Sequence, residues 1–402
     1  MMKAGYVSAA RTKVTELPVA KTRLKCGHAS ASRTAGDTAE LFRYSVVLLA
    51  RVVTLGLCFV GAAVNGEELD EYLIWPGDPR GLVFVWQDAA AQNEILDARG
   101  KVERICRVRA HGRAKFGRFD VMDVTGGSFV AEDLGSTIAN ACRATGQFTL
   151  EAVVTPAASD QTALVISSRS RQGESDFALR QSGDRFTADL AATPESVRGD
   201  AGRAQEGKPA HVVVTRTANQ LTTYVNGKQV SIEQLSGSKP TDWTADEMRF
   251  GSSEAEESQW AGAIEGVAVY SRALPADEVA QHFRLHQSRV AGREPAERVV
   301  VDARLVATSS TPTPEEIAPY ERALAVYTYE VQNVVEGDCQ DKRIQVAHWV
   351  IMDRRTLPNE RQRGQQMRLV LEEFEDHEQL ESERLVSDSE EYDLPLYYDV
   401  EP

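Results

Sequence analysis

The sequence predicts an all-β protein: a two-sheet sandwich over residues 78–286, then a smaller β-barrel or sandwich module over residues 298–402. Three observations predict it. Short apolar or β-branched runs with period-two alternation recur between the bounds of the first region, each flanked by Gly, Ser, Asp or Asn. Turn signals separate these runs at roughly the eight-to-twelve-residue spacing of sandwich folds. A second set of alternating runs follows a polar stretch, residues 287–297, that contains Gly and Pro and reads as a linker.

Ahead of the sandwich, residues 1–66 carry nine Lys/Arg against three Asp/Glu. The apolar run Val52–Val64 follows Arg51, and small residues follow the run. That is the order of a secretory signal. The apolar core is short of the roughly 20 residues a membrane span needs. Extended back to Val46 it gains length but buries Arg51, at a cost of roughly 3 kcal/mol. A cleaved signal comes first among the readings, an uncleaved membrane anchor through residues 46–64 second, and an organellar transit peptide third. The first two place the protein as secreted, periplasmic or bound to the cell envelope.

Within the sandwich, strands are expected over residues 81–86, 148–155, 163–168, 177–181, 185–190, 211–216, 220–225, 247–250 and 263–270. Ser182-Gly183-Asp184 and Asn226-Gly227 supply hairpin turns. Asn-Gly is the favoured two-residue loop because both residues tolerate positive φ. Trp86 and the run Phe129–Asp133 supply the earliest strands. One helix is expected from Leu274 to Phe283: Pro275 and the acids Asp277 and Glu278 suit its start, and Val279 and Phe283 share a face. In the C-terminal module, alternation over residues 323–335, 343–352 and 366–374 predicts three to five antiparallel strands, and the tail from Glu375 is acidic.

Net charge narrows the partners. The chain carries −15, and beyond residue 66 it holds 36 basic against 57 acidic residues. Such a surface repels phosphate backbones, which argues against nucleic acid.

Four runs in order resemble the laminin-G-like jelly-roll family of the concanavalin A-like lectin/glucanase superfamily. They are Gly146–Val154 (GQFTLEAVV), Gly207–Thr215 (GKPAHVVVT), Leu221–Val230 (LTTYVNGKQV) and Phe250-Gly251 continuing through Trp260–Val279. The resemblance covers residues 148–283 most clearly and implies a concanavalin A-like β-sandwich. Its glucanase branch uses carboxylates alternating on one strand as Glu-x-Asp-x-Glu; that run is missing here, and a single acid, Glu265, stands where the family has a pair. The resemblance therefore implies non-catalytic recognition of a glycan or an extracytoplasmic protein; the alternatives are a structural role in the cell envelope through protein docking and, third, a polysaccharide-active enzyme with a different site. Many relatives hold Ca²⁺ at a rim, so Ca²⁺ is the cofactor it allows, with Asp120, Asp123, Asp242 and Glu254 in expected loops as candidate ligands. The other reading of these acids is solvated loop charge.

Other candidates come from residue type. Trp243 and Trp260 flank the strand at Phe250 and could stack on a sugar face; Trp260 also fits the core. Cys106 and Cys142 flank the first part of the sandwich and would form a disulfide in an exported protein, or two buried thiols otherwise. His211 opens a core strand and reads as packing. His282 and His286 stand four apart, a metal-capable spacing without an evident third ligand, so they read as surface residues, and His348 beside Trp349 reads as structural.

Overall fold

The computed structural model describes residues 75–86, 94–96, 102–106, 108–170, 175–191, 196–235, 243–252 and 258–401. The basic leader, the apolar segment 46–64, Asp242 and Glu254 lie outside the described residues. Among the described residues no helix is long and apolar enough to cross a membrane.

In chain order the first strands are β1 (Leu82–Trp86), β2 (Glu94–Leu96), β3 (Val102–Ile105), β4 (Val108–Gly112), β5 (Lys115–Phe116), β6 (Met122–Asp123) and β7 (Gly127–Glu132). Helix α1 (Leu134–Thr145) leads into β8 (Phe148–Pro156), β9 (Thr162–Arg169), β10 (Ser175–Ser182), β11 (Arg185–Leu190) and β12 (Val197–Arg203). Then come β13 (Ala210–Arg216), β14 (Gln220–Val225), β15 (Lys228–Gln234), β16 (Glu247–Gly251), β17 (Gly262–Tyr270) and helix α2 (Ala276–Ala291).

These strands form two sheets. The first runs β15-β14-β13-β8-β17-β1-β2-β3, with β6 against β17 and β5 against β6. The second runs β12-β11-β10-β9-β16-β7-β4. Chain neighbours such as β8 and β9, or β16 and β17, fall on different sheets, so the chain winds around the sandwich as a jelly roll. Between the sheets lie Phe84, Phe129, Phe148, Val165, Phe186, Val212, Phe250 and Val267. A second apolar layer, with Trp75, Val85, Val153, Val213, Ala268, Tyr270 and Val279, sits on the outer face of the first sheet beneath α2. Central strands are thus covered on both faces. This is why β13 reads as the unbroken apolar run Val212–Val214 rather than as alternation.

Helix α2 extends beyond the expected stop at Phe283 and runs through Ala291, into the stretch read as a linker. No helix breaker precedes Gly292, whose backbone N–H closes the last turn on the Arg289 carbonyl. Helix α1 is an addition that the strand pattern did not suggest.

The C-terminal module contributes β18 (Arg298–Thr308), β19 (Ala323–Glu336), β20 (Arg343–Met352), β21 (Arg355–Thr356), β22 (Gln366–Glu373), β23 (Arg384–Val386) and β24 (Leu396–Asp399). Their order is β21-β20-β24-β22-β18-β19-β23, and β19 also pairs with β20. That extra pairing closes β18, β19, β20, β24 and β22 into a five-stranded barrel around Val301, Leu305, Tyr327, Tyr329, Val346 and Leu371. The barrel is fastened to the jelly roll by polar contacts. Arg322 donates to the Ala114 carbonyl, the Gly112 N–H donates to Asp353 Oδ2 at 3.0 Å, and Arg118 Nε donates to the Asp376 carbonyl at 3.1 Å.

Candidate functional site

Alternation along β10, β11 and β12 sends Phe177, Leu179, Phe186, Ala188 and Leu190 into the core. It leaves Ala178, Arg180, Thr187, Asp189, Arg198 and Asp200 on the outer face of the second sheet. Register then fixes who meets whom: Ala178 stands opposite Asp189, and Asp189 opposite Arg198. Arg180 Nε donates to Asp189 Oδ2 at 2.8 Å, and Arg198 donates through Nε to Oδ1 at 2.6 Å and through Nη2 to Oδ2 at 3.1 Å. One carboxylate therefore orients two guanidinium groups. Next to them Arg185 is paired with Asp200. A cleft of about 380 Å³ opens over this group, walled by Ser175, Ala178, Arg180, Asp189 and Arg198. The local excess of positive charge sits on a strongly acidic chain. Fixed planar donors of this kind match carboxylates, sulfates and adjacent hydroxyls.

The opposite face of the sandwich holds a different constellation, sealed from water. Glu151 on β8 is 0% exposed, and His211 on β13 and His282 on α2 are each 1% exposed. His211 Nε2 donates to Glu151 Oε1 at 2.7 Å, and His282 Nδ1 donates to Oε2 at 2.9 Å. Burial alone would push the Glu151 carboxyl up. The two hydrogen bonds and the nearby imidazoles outweigh it and hold the carboxyl below its ordinary range. The group ties the helix to two strands. The barrel has a comparable buried relay: the Tyr329 hydroxyl and His348 Nε2 are 2.9 Å apart, and His348 Nδ1 lies 3.1 Å from Asp399 Oδ2. Burial pushes the His348 imidazole down.

Comparison with known proteins assigns the sandwich. Residues 131–280 match the family Laminin_G_3 of the concanavalin A-like lectin/glucanases superfamily. This stretch is a laminin-G-like domain. Among curated proteins none matches the sequence. Solved structures similar to the chain include the binding domain of botulinum neurotoxin DC in complex with rat synaptotagmin II, at 9% identity and a TM-score of 0.44, covering 74% of this chain and 73% of that one. A structure of botulinum neurotoxin type C, described as dependent on two ganglioside molecules for cell entry, aligns at 10% identity and a TM-score of 0.43, covering 74% and 73%. A mutant sialidase of Trypanosoma rangeli aligns at 18% identity and a TM-score of 0.40, covering 53% of this chain and 34% of that one.

The laminin-G-like domain places the sequence-derived candidates apart from one another. Trp243 is 2% exposed, wedged against the rings of Phe148 and Phe177 at 5.1 and 5.7 Å, so it is a core residue and not a loop-tip aromatic. Trp260 is 0% exposed, and its indole N–H donates to Gln181 Oε1 at 2.7 Å. Both are corrected to packing, because each indole is buried in the core between the sheets. No disulfide joins Cys106 and Cys142; both are buried thiols in the inter-sheet core. Asp120 and Asp123 lie near the β6 rim, where the Asp120 carbonyl accepts from the Trp86 indole at 3.2 Å and Asp123 Oδ1 accepts from the Thr125 N–H at 3.0 Å. Among the described residues no group of three His, Cys, Asp or Glu is arranged to hold a metal ion.

Sequence reasoning missed Arg180, Asp189 and Arg198, and it quoted Glu151 only as part of a strand motif. The signal for the arginine group was the recurrence of charge at alternate positions of adjacent strands.

Proposed function

We propose that the chain is an exported recognition module whose laminin-G-like domain binds a ligand rather than transforming one, on the outer face of β10, β11 and β12. The observation that carries this reading is the Arg180–Asp189–Arg198 group beneath a cleft of about 380 Å³. A cleft of this size suits roughly one or two saccharide rings. The charge balance favours a saccharide bearing a carboxylate or sulfate over a neutral one. Glu151, His211 and His282 are 0–1% exposed and hydrogen-bonded to one another, which supports a role in tying helix α2 to the sheet. Export is supported by the basic flank and apolar run ahead of the sandwich, and N-terminal sequencing of the protein from its own cell checks it.

A glycan array with the full chain, run with and without chelator, tests the ligand. Binding to acidic saccharides, weakened about tenfold or more in Arg198→Ala, supports the reading. A loss of binding on chelation adds Ca²⁺ to it. Silence on the array, together with a protein partner that Arg198→Ala still captures, overturns the assignment of the site.

A further inference from the structure

We propose that the arginine cleft is one end of a track that crosses the whole second sheet, and that its occupant is a linear acidic polysaccharide with an anionic group on every second ring. This deepens the ligand reading above and rests on it. The register of the sheet carries the inference. Followed strand by strand, Arg109 of β4 stands opposite Val130 of β7, Val130 opposite Arg249 of β16, and Arg249 opposite Ser167 of β9. Ser167 stands opposite Ala178 of β10, Ala178 opposite Asp189 of β11, and Asp189 opposite Arg198 of β12. Opposed residues of an antiparallel pair share a face, so these positions form one row on the outer face of the sheet.

Guanidinium groups recur along the row on alternate strands: β4, β16, β10 and β12. On β10 the row position itself is Ala178, but Arg180, two residues on, reaches back to the row through its Nε bond to Asp189 at 2.8 Å. Each group is oriented by a carboxylate. Glu132 accepts from Arg109 at 3.4 Å, Glu247 accepts from Arg249 at 2.8 Å, and Asp189 accepts from both Arg180 and Arg198. The motif of the cleft is thus repeated across the sheet. Arg249 lies deepest, with its side chain 17% exposed, while those of Arg109 and Arg198 are 42% and 67% exposed. The row positions between β4 and β11 that carry no arginine hold the short uncharged side chains of Val130, Ser167 and Ala178.

This spacing selects the ligand. Neighbouring strands lie about 4.7–4.9 Å apart, so alternate strands repeat at roughly 9.4–9.8 Å. An extended peptide repeats like-facing side chains at roughly 6.4–6.8 Å, which falls out of step with the row. A pyranose ring in an extended chain advances by about one strand spacing, so an acid on every second ring meets an arginine each time. The intervening rings lie over Val130, Ser167 and Asp189. Asp189 repels an anion placed on its own strand, so the ring there is neutral, which disfavours polymers charged on every ring.

The test is calorimetric titration of the full chain at about 0.15 M salt, where distant charges are screened. One probe is a series of hyaluronan oligosaccharides of two to ten rings, which carry a carboxylate on alternate rings. The other is an eight-ring oligogalacturonate, which carries one on every ring. Affinity for the alternating series is expected to rise roughly two- to fivefold with each added disaccharide, the range of an exposed ion pair. It levels off at eight rings, when Arg109, Arg249, Arg180 and Arg198 are all engaged. The galacturonate is expected to bind about threefold or more weakly than the alternating octasaccharide. Arg109→Gln, at the edge of the sheet farthest from the cleft, is expected to move the plateau from eight rings to six while the melting temperature changes little. The length series needs no variant, so it decides the matter if Arg109→Gln does not fold. Affinity already full at two rings, a plateau that Arg109→Gln leaves at eight, or equal affinity for the two polymers overturns the track and leaves the cleft as an isolated saccharide site. Failure of both polymers to bind at any length also overturns it, and the glycan array then decides on the cleft alone.

Discussion

Glu151 gains its ionised state from residues 60 and 131 positions away along the chain. Replacing it with Gln keeps the shape but sets an amide where two imidazoles expect a carboxylate. Glu151→Gln is expected to lose about 3–5 kcal/mol, the usual cost of breaking a buried ionic pair, in urea unfolding at pH 7. Because the folded carboxyl is held below its ordinary value, its contribution is present at neutral pH and is lost as pH falls through that lowered value. His286 acts in the same direction over a different window. Burial, with Arg289, His211 and Arg293 nearby, pushes its imidazole down to about 3 from an ordinary 6.5, against the opposing pull of Glu151. The unfolded chain binds the proton first, so stability falls as pH drops from 6.5 towards 3, by up to about 1.4 kcal/mol per pH unit. His286→Gln is expected to flatten that slope in denaturation curves at pH 7 and pH 5. Cys142 is a third case. Burial pushes its thiol up to about 12, so iodoacetamide at pH 8 is expected to leave it unlabelled in the folded protein and to label it in urea, as read by peptide mass spectrometry. None of these environments was legible in the sequence, because each depends on partners brought together only by the sheet order. Arg180, Asp189 and Arg198 were hidden in another way: charge at alternating strand positions looks the same whether it forms a site or merely faces water.

Strands were the most legible elements. Period-two alternation located β1, β8, β9, β10, β11, β13, β14, β16 and β17 within a few residues. The Asn226-Gly227 turn adopts φ values of 50° and 74°, the doubly positive pair that its composition predicted. Gly227 also lies beneath α2, where an added Cβ would sit 3.2 Å from the Ala280 Cα. Gly227→Val is therefore expected to destabilise by more than about 1 kcal/mol and to lower the thermal midpoint. Helix α1 was obscured by its own residues. Leu134, Ile138, Ala139 and Cys142 do lie on one buried face, but small side chains dilute the stripe. Gly135 is required there, because a Cβ would meet the Glu247 backbone at 2.8 Å. The strand β12 was missed because Val197, Gly199 and Ala201 alternate with charge too weakly to register as apolar.

At the scale of the whole molecule, sequence separated jelly roll from barrel but could not show how firmly they hold each other. Arg322 is central to that attachment. It donates to the Ala114 carbonyl of the jelly roll, bonds Glu383 Oε1 at 3.1 Å and lies 5.4 Å from the Trp349 ring centroid. Arg322→Ala is expected to resolve calorimetric unfolding into two transitions, one per unit, at a cost of roughly 2 kcal/mol of coupling. The sheet order carries a temporal consequence as well. Strand β1 pairs with β17, and the Ser271 hydroxyl reaches the Gly81 carbonyl across 190 residues of chain. A ribosome must therefore release nearly the whole sandwich before β1, which early on can zip only against the adjacent β2, gains the partner on its other edge. Until then one edge of β1 stays open, and such distant pairing makes folding slow, in the millisecond-to-second range or beyond. A nascent chain stalled short of Tyr270 would be work for a chaperone.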